Sequence, residues 1–259
     1  MLSYGKRGHG RKRSIVREAE VSGNGVSVVL AHGAWADGSS WRKVIDLLEA
    51  NSVTTIAAGL PLTSLADDVA ALDRASERVY GELVLVGHAY AGAVIGSTRN
   101  ERVKSLIYVA GLAPAEGETV ADVFYRAAPH PLAPKLAPDR HGLIWLPSDA
   151  FATAFAQNAT REEQAWLSAV QGPISPACIG VAVERPLWQI HPSWFLIAEQ
   201  DRMIAQETQR FMADRMKARV HSHPVDHTPI VTAPEAVADL ILEAVHDKHR
   251  DLRIESVVQ

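Results

Sequence analysis

One stretch constrains this chain more than any other: Leu83-Val84-Leu85-Val86-Gly87-His88-Ala89-Tyr90-Ala91-Gly92-Ala93-Val94-Ile95. Its opening Leu and Val residues have the length and composition of a strand buried on both faces. Gly87 breaks the run, and the small residues beyond it suit a helix packed tightly on a sheet. A strand, a sharp turn and a close-packed helix in that order call for a layered α/β fold, because each element can bury its apolar surface only against the other kind.

The chain on either side keeps the same rhythm. Val26 to Ala31 is a second continuous apolar run, followed by His32-Gly33-Ala34-Trp35. Ser39 or Ser40 can cap a helix to about Ala50, with Trp41, Val44, Ile45 and Leu48 on one face. Val53 to Ala57 reads as a short strand. Ser64 can cap the next helix, with Leu65, Val69, Leu72 and Val79 inward. Val103 to Ala110 is another buried strand. The succession β-α-β-α-β-α-β predicts a mostly parallel, twisted sheet with helices on both faces and right-handed crossovers. Ligands of such sheets sit beyond the C-terminal strand ends. His32-Gly33-Ala34, Gly87-His88-Ala89 and the segment after Ala110 are therefore expected to converge.

From Pro114 to Pro192 the rhythm breaks. Pro129, Pro131, Pro134 and Pro138 fall here, with helical segments expected at Ser148–Asn158 and Thr160–Val170. Thr160 and Glu163 have the spacing of a capping box. This stretch reads as a helical lid of about residues 114–192, inserted after a central strand. The sheet resumes at Trp194–Ala198 and near Val220, and a last helix runs over about Ala233–His246, with Pro234 in its first turn.

At 259 residues the chain is long enough for two domains, but α/β folds of this size are often one, here residues 25–259. Residues 1–24 form a basic extension, with Ile15–Val21 read as an edge strand and Ser22–Gly25 as its turn. A net charge of −4 implies no general affinity for nucleic acid or anionic membranes, and no apolar run has the length of a membrane span. The single cysteine, Cys178, rules out an intrachain disulfide and fits a reducing, cytoplasmic setting. The expected partner is a small molecule, with a homodimer open.

Four motifs together carry a resemblance. They are Val28-Val29-Leu30-Ala31-His32-Gly33-Ala34-Trp35, the 83–95 stretch, Leu196-Ile197-Ala198-Glu199-Gln200-Asp201-Arg202, and Val225-Asp226-His227-Thr228-Pro229. In content and order they resemble the α/β-hydrolase superfamily, nearest its small esterases and lyases with a His-Gly-Ala-Trp motif. In that family a Gly-x-Ser-x-Gly elbow presents a nucleophilic serine at a strained strand-to-helix turn. The resemblance implies His227 as the base and Asp201 as its acid partner. Asp226 competes for that role, but an adjacent residue rarely aims its carboxylate at the neighbouring ring. The implied oxyanion hole uses the backbone amides of Ala34 and Tyr90. His32 and His88 flank the turns as packing or hydrogen-bonding residues, and Trp35, His88 and Trp145 are expected at the pocket. His221-Ser222-His223 with Asp226-His227 misses a metallo-β-lactamase pattern by one residue, so no metal and no cofactor is expected.

The elbow departs from the family pattern at two places. Ala89 stands where the serine belongs, and Ala91 replaces the final glycine. Three readings follow. The frame is that of a serine esterase for a small ester, thioester or lactone, with Ala89 an introduced substitution. Or the alanine is natural, and the His227–Asp201 pair does general-base chemistry. Or the protein binds a small ligand without catalysis.

Overall fold

A computed structural model describes residues 25–247. The basic extension, the Ile15–Val21 strand and most of its turn lie outside the described residues. Six strands form one sheet: β1 Val26–Ala31, β2 Thr54–Ala58, β3 Glu82–His88, β4 Val103–Val109, β5 Ser193–Ala198 and β6 Arg219–His223. Their order is β2-β1-β3-β4-β5-β6, and every neighbouring pair is parallel. The apolar runs fill the middle of this sheet. All of β1 and β5 is buried, whereas the edge strands β2 and β6 are mostly part-exposed or exposed.

The helices are α1 Arg42–Ala50, α2 Leu65–Ser76, α3 Ala91–Ser97, α4 Val120–Phe124, α5 Arg161–Val170, α6 Gln206–Met216, α7 Pro229–Thr232 and α8 Pro234–His246. α1 packs against α8, and α2 against α3. The chain moves outward from β1 to β2, then back across β1 to β3 and on toward β6. With right-handed crossovers, those opposite directions place α1 and α2 on opposite faces. The reversal also opens a crevice at the adjacent C-terminal ends of β1 and β3, the usual ligand position in such sheets.

Local chemistry sets the helix starts. Ser64 Oγ accepts the Asp67 amide at the head of α2, and Thr160 forms a reciprocal capping box with Glu163 at α5. At α1 the expectation of a Ser39 or Ser40 cap is corrected. Asp37 accepts the Ser39 amide at 2.8 Å, and a 3-10 turn over Gly38–Trp41 precedes the helix. The ionised carboxylate of Asp37 is the stronger acceptor.

The helix expected over Ser148–Asn158 is also corrected. Only Phe151–Phe155 is helical, as a single wide turn closed by the Ala156 amide on the Phe151 carbonyl at 2.8 Å. Such π-type turns re-aim side chains that a regular helix would carry past their target. Here Phe151 and Phe155 both point into the core. No helix among the described residues is long and apolar enough to cross a membrane.

Candidate active site

The turn after β3 is built by glycines at two places. A Cβ on Gly87 would stand 2.6 Å from the Ala91 carbonyl oxygen, and one on Gly92 would stand 2.5 Å from the Leu112 carbonyl oxygen. Gly92 therefore lets α3 approach the segment after β4, while Ala91 is accommodated fully buried. Between them Ala89 takes φ +48°. An L-residue in the left-handed region costs roughly 1–2 kcal/mol. The strain is held because the Ala89 amide donates to the Val109 carbonyl at 3.1 Å and its carbonyl accepts from Gly92 and Leu112.

The turn after β1 comes up beside this apex. A Cβ on Gly33 would lie 3.1 Å from the Ala89 Cβ, so glycine allows the close approach. His32 is buried and satisfied at both ring nitrogens: Nδ1–H donates to the Gly33 carbonyl at 2.9 Å, and Nε2 accepts the Leu60 amide at 3.0 Å. Burial holds its pKa below the ordinary value. Trp35 stands at φ +58°, and its indole N–H donates to the Ile144 carbonyl at 3.0 Å.

The third and fourth motifs meet across the sheet edge. His227 Nδ1 lies 2.8 Å from Asp201 Oδ2, with both side chains buried. Asp201 is held from all sides. Its Oδ1 accepts the Met203 and Ile204 amides at 2.7 and 2.9 Å, and its Oδ2 also accepts the Gln209 amide at 2.8 Å. Asp226 turns away from the ring. It accepts the Asn158 and Thr228 amides at 2.9 and 3.1 Å and the Thr232 hydroxyl at 2.6 Å. Nε2 of His227 has no hydrogen-bond partner among the described residues, and the ring faces a cavity.

That cavity, of about 70 Å³, is lined by Ala34, Trp35, Ala89, Tyr90 and His227 from the sheet side. Val120, Phe124, Ile144, Ile174 and Ile179 close it from the segment between β4 and β5. Among the described residues no Lys, Arg, Asp or Glu lines it. Among the described residues neither the Ala34 nor the Tyr90 amide has an acceptor within the chain. The arrangement offers one unpaired imidazole nitrogen and two unpaired amides in an apolar setting, where electrostatic interactions are strong.

Two of the expected pocket residues are corrected. Trp145 is 45 % exposed, and its indole donates to Asp139 at 3.2 Å. Ile144 pairs with Ile174 in an antiparallel bridge and faces the cavity, so its neighbour Trp145 must face out. His88 lies beneath the cavity rather than on its wall, completely buried.

Sequence reasoning missed Phe155 and Asp68. The Phe155 ring centroid is 5.2 Å from that of His227 and 6.2 Å from that of Trp35. Asp68 is buried in α2 and accepts the Tyr90 hydroxyl and the Leu62 amide, each at 2.7 Å, with burial raising its pKa. The Asp67-Asp68 pair gave no signal beyond that of a helix first turn. The remaining hydroxyls and thiol near the apex are engaged elsewhere. Tyr90 is tied to Asp68, Ser97 Oγ donates to the Ala93 carbonyl at 2.8 Å, and burial pushes the Cys178 thiol up to about 12.

A strand-turn-helix elbow on a parallel sheet, with a buried His–Asp pair at the same strand ends, is the arrangement of the α/β hydrolases. The model of the alpha/beta hydrolase family matches residues 28–240, and the chain belongs to that family. Among solved structures it is similar to a pyrethroid hydrolase from Sphingobium faniae JZ-2, with 20 % identity, 89 % of this chain and 99 % of that one covered, and TM-score 0.70. It is also similar to polyneuridine aldehyde esterase, with 16 % identity, 84 % and 98 % covered and TM-score 0.73. A histidine-to-alanine variant of tomato methylketone synthase I, complexed with β-ketoheptanoate, matches with 17 % identity, 84 % and 96 % covered and TM-score 0.71. At these identities the likeness concerns the fold. No match was found among curated protein sequences.

Proposed function

We propose that this protein has the frame of a serine esterase for a small, uncharged ester, thioester or lactone, with Ala89 in the nucleophile position. His227 is the base, Asp201 its acid partner, and the Ala34 and Tyr90 amides the oxyanion hole. The observation that carries this reading is Ala89 itself. It sits at φ +48° on the elbow, in one cavity with a His227 ring already hydrogen-bonded to Asp201. The strained turn is kept although no hydroxyl uses it.

With serine at 89, His227 Nε2 would take the Oγ proton as Oγ attacks the carbonyl carbon. Asp201 would hold the Nδ1–H tautomer and stabilise the imidazolium. The two amides would receive the oxyanion, and one such donor is worth about 3–4 kcal/mol. Ala89→Ser is therefore expected to hydrolyse short-chain nitrophenyl esters, and Ala89→Ser/His227→Ala is expected not to. An Ala89→Ser protein that is folded yet inert across esters and lactones would overturn the reading.

A second reading has one observation in its favour: His227 Nε2 is unpaired in the chain as it stands. A dyad of this kind can take a proton from a bound ligand or from water without a nucleophile. Activity of the unaltered chain that disappears in His227→Ala would bring this reading ahead.

A further inference from the structure

His88 is the last residue of β3, and the chemistry above leaves it without a task. It is completely buried. Its Nε2 lies 2.7 Å from the His227 carbonyl oxygen. A carbonyl can only accept, so Nε2 carries the proton and Nδ1 is left with a lone pair. That lone pair has no hydrogen-bond partner among the described residues. The ring is enclosed on every side. Its centroid is 5.0 Å from that of His227 and 6.5 Å from that of Phe155, and a Cβ on Gly33 would come within 3.1 Å of Nδ1. Burial, reinforced by the nearby His227, pushes the His88 pKa down to about 3. His32, the other charge-capable ring acting on it, is also kept neutral by burial.

A buried acceptor without a partner is a standing cost to the fold. Phenylalanine would fill nearly the same volume without it. What histidine adds is a single donor, and that donor goes to the main chain of His227. The His227 side chain has one hydrogen bond of its own, to Asp201. One bond and the packing of Phe155 do not by themselves set the direction of the ring, so its aim also depends on how firmly the backbone beneath it is held.

We propose that His88 is a positioning residue for His227: its Nε2–H fixes the His227 carbonyl and so aims the imidazole between Asp201 and the cavity. This rests on the reading of His227 as the base, yet its test needs no turnover. In the full chain, imidazole 1H–15N spectra report both rings. His88 is expected as the Nε2–H tautomer, with no titration from pH 8 down to about 4, in keeping with its lowered pKa. The His227 Nδ1–H shared with Asp201 is expected as a sharp, strongly downfield proton. In His88→Phe, checked for folding by circular dichroism, that proton is expected to broaden or vanish. In His88→Gln, whose amide can donate from nearly the same place, it is expected to return. A sharp, unshifted resonance in folded His88→Phe would overturn the proposal. Should His88→Phe not fold, the unaltered chain still decides: a His88 ring found as the Nδ1–H tautomer, or titrating near 6.5, also overturns it. An inert Ala89→Ser would count against the esterase reading alone, because none of these spectra depends on it.

Discussion

At the scale of single residues, burial decides protonation, and protonation decides how the protein responds to acid. His88 and His32 are both buried neutral, with pKa values below the ordinary histidine value, that of His88 at about 3. In the unfolded chain each titrates near 6.5. The unfolded state therefore binds more protons below that pH, so stability is complete above 6.5 and falls as the pH is lowered. For His88 the slope approaches about 1.4 kcal/mol per pH unit, and His32 adds to it in the same direction. Asp68 and Asp226, whose carboxyl pKa values are raised by burial, act with the opposite sign from the ordinary carboxyl range upward. Comparing the unaltered chain with His88→Phe isolates the His88 part, because His32 and the carboxyls are common to both. Urea midpoints are expected to drop between pH 7 and pH 4.5 in the unaltered chain and to drop less in the variant. Parallel profiles would mean that His88 is not held neutral.

At the scale of elements, the site loops are positioned by the segment between β4 and β5 as much as by the sheet. The Trp35 indole donates to Ile144, the Thr228 hydroxyl to Phe155 at 2.6 Å, and Asp226 accepts the Asn158 amide. Asp226 is the busiest of these ties, with three donors converging on one buried carboxylate. Each buried donor left without an acceptor costs about 1–3 kcal/mol. Asp226→Ala is expected to lower unfolding stability by about 3 kcal/mol in urea denaturation. Asp226→Asn, which keeps one acceptor oxygen, is expected to lose less. Equal stability in all three proteins would remove Asp226 as the anchor of the His227 loop.

At the scale of the whole molecule, the sheet and the inserted segment enclose a cavity whose ionisable groups, among the described residues, are His227, Tyr90 and Tyr125. The Tyr90 phenol is already committed to Asp68, and burial pushes its pKa up. A ligand carboxylate would enter without a counter-charge, and an unpaired buried charge costs several kcal/mol. In Ala89→Ser, kcat/KM for a neutral ester is expected to exceed that for a carboxylate-bearing ester of the same size by roughly 100-fold or more. Comparable values for the two would show that the ligand sits outside this cavity.

The strands and their parallel direction were legible in the sequence, because each rests on local chemistry, whereas the strand order was not, and His227 and Asp201 were singled out by the family resemblance. Apolar runs such as Val26–Ala31 can be buried only as inner strands, glycines such as Gly87 break them, and polar groups at strand ends collect on one edge. The cap at Ser64 and the box at Thr160 are local in the same sense. What the sequence could not carry was orientation between segments far apart in the chain. The Ile144–Ile174 bridge, not the size of the indole, turned Trp145 outward. The wide turn at Phe151–Phe155 depends on what Phe155 meets, which is Trp35, His88 and His227. Asp67 and Asp68 are chemically identical neighbours in one helix turn. Only packing against Leu62 and Tyr90 made Asp68 a buried tether and left the Asp67 carboxylate at the surface, accepting the Thr63 and Ser64 hydroxyls. Burial and direction are properties of the assembled layers, and so tertiary structure alone decided them.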